Sequence, residues 1–361
     1  MFVGGEFYND TRWFSEKPTI STSNMTFLNG GKACLVVIGE YLLDHGIKKI
    51  LLPSYLCPTI VTTLEFCGLS CEYYQINSDF SIDLDDLAQK LVEHQAIYFI
   101  NYFGFLHPDK VQKYFESLRQ KGVLVVEDNA QAGFGDHLTG NFIFNSMRKF
   151  GPFDGGYLIS PYDLTPYIIK YQGYPNRHLP LIREYREKLA NYLYQGSIAY
   201  EVLDQLYNLA EYYYETDSIV EGNQQEQLQI ERMDWEGIKQ IRRENYQYLL
   251  NSISGIQELS PVFPVLQEKI MPLGLPVYVS DALRDWLFDQ LGNAGIGLTI
   301  HWDELLRESR LNKNAVAVDM ASRMITLVID QRTSHKQMDY MVQILCDRIK
   351  HAKLHGISVS E

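Results

Sequence analysis

Residues 123–135 read "VLVVEDNAQAGFG", and the fold turns on this stretch. Val123 to Val126 form an aliphatic run of the kind buried on both faces of a parallel sheet. The run meets Glu127 and Asp128 and then passes into small, polar and flexible residues. In open α/β sheets, ligands bind just beyond the carboxyl ends of the strands. Asp128, at that exit, is therefore a candidate for holding something.

Outward from this strand, the first half of the chain alternates strand-like and helix-like segments. "GGKACLVVIGEYLLDHG" opens on glycines and continues with helical apolar spacing, "IKKILLP" reads as a strand, and "TIVTTLEFCG" as a helix stopped by Gly68. "CEYYQI", "AIYFINYFG" and "VLVVED" follow as strands, separated by the helices "DLDDLAQKLVEH" and "DKVQKYFESLRQKG". Such alternation implies a mostly parallel central sheet flanked by helices, the α/β class.

From about Leu164 to Ile241 the segments become long, helical and rich in Tyr and Gln, with a polar stretch, Glu221 to Gln229, that reads as a connector. "QIRRENYQYLLNSI" begins a further helix. "LGLPVYVS", "ALRDWLFDQLGNAGI" and "SRMITLVID", closed by the helix "KQMDYMVQILCDRIKHAKLHG", suggest a smaller α+β domain. The expected division is a large α/β domain over 1–235, with its helical segment at about 164–235, and a small C-terminal domain over 236–361.

The 361 residues are 46% hydrophobic and 21% charged, an ordinary globular composition. A net charge of −13 argues against broad nucleic-acid binding, which needs basic surface, but leaves room for a small anionic ligand at a local site. The five cysteines include no second pair to complete a metal site and read as reduced thiols. No cationic-then-apolar leader opens the chain, and no apolar run approaches the ~20 residues that span a bilayer. The expectation is a cytoplasmic protein without a metal or a membrane segment.

Downstream of Asp128 stands "GNFIFNSMRKFGPFDGGYLIS". Lys149 follows an apolar stretch and precedes a turn rich in Gly and Pro. A lysine there is usually a solvated charge, but a desolvated one loses its proton and becomes a nucleophile. Ser146, three residues earlier, has a hydroxyl to offer a phosphate. In "LNGGKACL", Gly30 and Gly31 stand where a helix begins, and its free N–H groups are a natural phosphate seat. Arg148 beside Lys149 is open between a structural and a functional role. Tyr102 and Phe103 read as core.

Taken in order, the glycine helix start, "VVEDNAQA", the lysine of "SMRK" and "DGG" resemble the DegT/DnrJ/EryC1/StrS aminotransferases, members of the pyridoxal-phosphate fold type I superfamily. Asp128 and Gln131 match the spacing of that family's strand-end motif, and Lys149 matches the position of its cofactor-bearing lysine. Weaker similarity extends to "ILLPSYLCPTIVTTLEFCG", "IRRENYQYL" and "GIGLTIHW". The resemblance implies pyridoxal 5′-phosphate as cofactor, with Asp128 on the pyridine nitrogen, Gln131 on the phenolic oxygen and Lys149 as the covalent attachment and proton carrier. Gly31, Lys32, Ala33 and Ser146 would hold the phosphate, and Tyr55 or Cys57 would form the wall beside the ring. His301, Arg242 and Arg243 are the candidate substrate residues, the arginines clustering with Arg232.

The resemblance further implies a homodimer with its site at the interface. It implies an amino acid, often glutamate, as donor, and as acceptor a keto compound, typically a nucleotide-linked keto sugar. Two features depart from the pattern. Phe144 stands where many members have a phosphate-binding Ser, and the segment usually given to the partner subunit is replaced by "QIERMDWEGIKQIRRENY". A dehydratase on the same fold is disfavoured because Lys149 is present, and a non-catalytic regulator because Asp128, Gln131 and Lys149 are all in register.

Overall fold

The computed structural model describes residues 1–135, 138–196 and 198–355. Its centre is a sheet of seven strands: β1 Thr26–Leu28, β2 Lys49–Pro53, β3 Ser70–Tyr74, β4 Ala96–Ile100, β5 Leu124–Asp128, β6 Phe142–Phe144 and β7 Gly156–Ile159. They lie in the order β1-β7-β6-β5-β4-β2-β3. β7 runs antiparallel to both its neighbours, and every other pairing is parallel. The expected α/β architecture is thus the observed one. β1 and β6, three residues each, are too short for their pattern to announce them.

The aliphatic runs are central because both faces are covered. β4 is buried along its whole length. On one side the helix Asp109–Gln120 sets Phe115 flat against Phe99 of β4, with ring centroids 4.3 Å apart. Helix α1, Gly31–Asp44, packs against β1, β6 and β7 and is buried at ten positions. Its entry requires glycine, since Gly30 has φ 116°.

The helical region contains two antiparallel helices, α2 His178–Gln195 and α3 Tyr200–Thr216. The stretch expected to be a polar connector, Glu221 to Gln229, is instead mostly a helix, Gln224–Arg232. Two things make it one. The Asn223 side chain caps its start by accepting from the N–H groups of Gln225 and Glu226, and Glu226 is buried at 2% exposure with two partners. Those partners are the Asp154 N–H at 2.8 Å and the Arg183 guanidinium.

Helix α4, Trp235–Ser252, opens the C-terminal part, capped by Asp234. A three-stranded antiparallel sheet of Ser260–Pro261, Leu275–Tyr278 and Met324–Leu327 follows, flanked by α4 and by helices Asp281–Asn293 and His335–Leu354. The last helix was expected to reach Gly356, which lies outside the described residues. The chain's beginning also joins this part, contrary to the expected division at 235. Val3–Gly4 pairs in parallel with Ile296–Gly297, and Arg332 donates to the Gly5 and Glu6 carbonyls.

Asp154, in the turn after Lys149, ties the sheet to α2. It is 2% exposed, accepts from Arg186 Nη1 at 2.7 Å and lies 3.3 Å from His178 Nε2. Burial alone would raise its carboxyl, yet Arg186 and His178 hold it well below the usual carboxylate range. Asp154→Ala leaves the buried Arg186 guanidinium only the longer pair with Glu6 at 3.6 Å, so unfolding free energy is expected to fall by about 3 kcal/mol, read as an earlier denaturant midpoint.

Candidate active site

Two adjacent carboxylates end β5, and the alternation of a strand sends them to opposite faces. Glu127 is fully occupied. Its Oε2 accepts from the Thr139 and Gly140 N–H groups at 2.7 and 2.9 Å, and its Oε1 from the Asn129 and Asn101 amides at 3.0 and 3.2 Å. Asp128, 5% exposed, accepts from the Ala130 N–H at 2.7 Å and the Tyr98 hydroxyl at 2.5 Å, and it borders a cavity of about 210 Å³. Burial raises the Asp128 pKa, and Tyr98, the Ala130 N–H and Lys149 offset part of that rise. A buried carboxylate of this kind favours a cationic partner from the cavity.

Gln131 lines the same cavity at 2% exposure. Its Oε1 accepts from the Phe103 N–H at 2.7 Å, which fixes the amide, and its Nε2 is a buried donor without a partner among the described residues. A donor left so costs free energy unless a ligand takes it.

Lys149 ends a short 3₁₀ turn, Met147–Lys149, that begins after Ser146. The turn is held from both sides: Met147 N–H donates to the Gly155 carbonyl at 2.9 Å, and Gln331 Nε2 donates to the Phe150 carbonyl at 2.7 Å. Lys149 itself has no hydrogen bond or ion pair among the described residues. Burial lowers its pKa, assisted by Arg148 and opposed by Cys57 and Asp128. Ser146 makes no side-chain hydrogen bond among the described residues and faces the start of α1. A Cβ on Gly31 would lie 3.6 Å from the Ser146 Cβ. Asp128, Gln131, Ser146, Lys149, Gly31 and Lys32 all line this chamber. The Lys32 ammonium donates to the Tyr214 and Glu215 carbonyls at 3.0 and 2.5 Å. Ala33 is in the same helical turn but lines a separate cavity behind it.

Tyr55 does not reach the chamber. It is fully buried, and its hydroxyl donates to the His301 carbonyl. Of the two residues expected at the wall it is Cys57 that lines the chamber, beside Ile60 and Trp302. Burial raises the Cys57 thiol, so it presents a neutral surface.

Beyond Lys149 and Arg148, which border both spaces, a second chamber of about 660 Å³ opens. It is lined by the N-terminal segment, by Tyr185, Tyr200, Tyr207 and Asn208 of the helical pair, and by His301, Thr326 and Asp330 of the C-terminal part. His301 Nδ1 is 3.0 Å from Thr326 Oγ1. Arg242 lines this chamber too, but Nε donates to Gln331 and Nη1 to the Pro272 and Leu273 carbonyls. Through Gln331 it braces the turn that carries Lys149. Arg243 points elsewhere, donating to the Gln267 and Ile270 carbonyls, and Arg232 lines another cavity with Asn9 and Asp10. The expected arginine cluster is not assembled. Tyr214, which lines the inner chamber, and Tyr98, which reaches it only through its hydrogen bond to Asp128, were not foreseen. Tyr98 carried a signal, since it pairs in register with Val126 on the neighbouring strand.

No protein-family model and no curated protein matches this sequence. Solved structures do. The sugar aminotransferase CalS13 from Micromonospora echinospora aligns with a TM-score of 0.62 at 17% identity, covering 90% of this chain and 87% of its own. Spr1654 from Streptococcus pneumoniae, in its PLP form, gives 0.63 at 15%, covering 96% and 98%. A DegT DnrJ EryC1 StrS aminotransferase from Brucella abortus gives 0.60 at 14%, covering 90% and 85%. This chain has their fold. The expected fold type I architecture is therefore the one the chain adopts.

Burial lowers the His301 pKa to about 3, with Lys149 adding to the shift, and burial takes His107 to about 4. Between the unfolded value near 6.5 and those values only the unfolded chain binds these protons, so stability falls as pH falls through that window. His301→Gln is expected to lose less stability than the parent between pH 6.5 and 4, measured by urea unfolding at each pH.

Proposed function

We propose that the chain is a pyridoxal 5′-phosphate-dependent aminotransferase that moves an amino group from an amino acid to a keto sugar. One observation carries this reading. Lys149, unpaired among the described residues and with its ammonium disfavoured, stands between two chambers: one with a buried carboxylate and an amide donor that has no partner among those residues, the other larger and polar.

The chamber's groups fit the cofactor. Asp128 would keep a proton on the pyridine nitrogen, and Gln131 Nε2 would donate to the phenolic oxygen. The Ser146 hydroxyl and the N–H groups of Gly31, Lys32 and Ala33 would receive the phosphate. Trp302, Cys57 and Ile60 would cover the ring and exclude water. When bound, the cofactor supplies an electron sink that makes the substrate's Cα proton labile. Lys149 would accept that proton and return it to the other carbon, which needs an amine neutral near the working pH.

The donor in this reading is an α-amino acid such as glutamate. The acceptor is a keto sugar, in the finer reading nucleotide-linked. The outer chamber supports a polyhydroxylated acceptor through Tyr185, Tyr200, Tyr207 and Asn208. The expected homodimer belongs to the same proposal. Tyr194, Tyr200, Leu209 and Tyr212 leave exposed apolar surface on the helical pair. Among the described residues no helix is long and apolar enough to cross a membrane.

The purified protein is expected to be yellow and to bleach with its amino donor. Borohydride should fix the cofactor on the peptide carrying Lys149, and labelling of a different lysine overturns the assignment. Asp128→Asn should fold and bind cofactor while turnover falls by roughly two orders of magnitude or more. Efficient amination of a small uncharged ketone, with none of any nucleotide-linked keto sugar, rules out the finer acceptor reading.

A further inference from the structure

The start of α1 and Ser146 would not meet a phosphate dianion alone, because the chain's own helix α3 lies against them. Lys32 Nζ, bonded to the Tyr214 and Glu215 carbonyls, clamps the end of α3 to the start of α1. The Tyr214 hydroxyl comes so close that a Cβ on Gly30 would lie 3.4 Å from it. That hydroxyl has no hydrogen-bond partner among the described residues. Arg148 lies on the Tyr214 ring, its guanidinium carbon 4.5 Å from the centroid, and is held by Glu211 of α3 at 3.0 Å through Nη2. Its Nη1 is buried and has no partner among the described residues.

Arg148 borders both chambers, whereas Ser146, Gly31 and Tyr214 line the inner one and not the outer. An anion meeting Arg148 together with those three groups therefore sits in the inner chamber. Glu211 and Glu215 face it as well. Without Arg148, Glu211 would repel a dianion there.

Building on the cofactor reading above, we infer that Arg148 and Tyr214 complete the phosphate seat, so that α3 of the same chain closes it. Arg148 contributes a charge-assisted bond and neutralises Glu211, and Tyr214 contributes a hydroxyl and the platform on which the guanidinium lies. Both are positioning residues for the cofactor. This gives α3 a role that the composition of the Tyr-rich segment does not express.

The test compares equilibrium binding of pyridoxal 5′-phosphate and of pyridoxal, which lacks the phosphate, to apoprotein by absorbance titration. Parent protein, Arg148→Gln, Arg148→Lys and Tyr214→Phe are compared, with circular dichroism and thermal melts of each apoprotein to verify folding. Arg148→Gln is expected to raise the Kd for the phosphorylated form about ten- to a hundred-fold while leaving that for pyridoxal within about two-fold. Arg148→Lys should recover part of the loss. Tyr214→Phe, which keeps the platform, should cost several-fold for the phosphorylated form alone. An unchanged ratio of the two Kd values in folded Arg148→Gln overturns the inference. If that variant instead raises only the KM for the amino donor, Arg148 serves the donor's carboxylate and the inference fails. Parent protein that binds neither compound overturns the cofactor reading itself, which separates the two failures.

Discussion

The constraint on which the rest of this site depends is the exit of a doubly buried strand. β5 is flanked by β4 and β6 and covered by helices, so its side chains alternate between two dry faces. Two consecutive carboxylates there face different problems. Glu127 accepts from four donors, two of them backbone N–H groups, and pins the loop at Thr139 and Gly140. Asp128 accepts from two and keeps an open side toward the chamber. The difference between the two residues is one of environment and not of chemistry.

The lysine opposite is positioned by contacts distant in sequence. Arg242 on α4 holds Gln331, Gln331 holds the Phe150 carbonyl, and the Arg242 guanidinium lies 5.1 Å over the Phe150 ring. Asp154, after that turn, is held by Arg186 on α2 and by Glu226 through its N–H. The short segment between Ser146 and Asp154 is thus braced by the helical pair on one side and the C-terminal part on the other. Lys149 is left in the middle without a partner among the described residues. A short turn anchored this way keeps a flexible side chain over the chamber at little further entropic cost.

The helical pair α2 and α3 borders both chambers. It supplies Tyr185, Tyr200, Tyr207 and Asn208 to the outer chamber and brings Glu211, Tyr214 and Glu215 to the inner one. Its outward face stays apolar, with Tyr194 70% and Tyr212 59% exposed. One surface of the pair therefore serves the site while the other is free to meet a partner.

The sequence alone determined the central strands of the sheet and the acidic exit at Asp128, though not the three-residue strands β1 and β6. Apolar runs separated by amphipathic helices have few burial solutions, and the family resemblance grouped Asp128, Gln131, Ser146 and Lys149, which line one chamber. It also expressed the glycine entry to α1, because only Gly30 tolerates that backbone. Tertiary structure alone decided the remainder. Tyr55 and Cys57 are two residues apart, and only packing put the first behind the wall and the second on it. Arg242 and Arg243 are adjacent, and helical rotation sent one to the lysine turn and the other to a loop. Glu221 to Gln229 looked solvated because nothing local shows that Arg183 and the Asp154 N–H are waiting for Glu226. The physical reason is common to all three: local pattern reports which face is apolar, whereas the partner of a polar group is set by whichever distant segment the fold brings beside it.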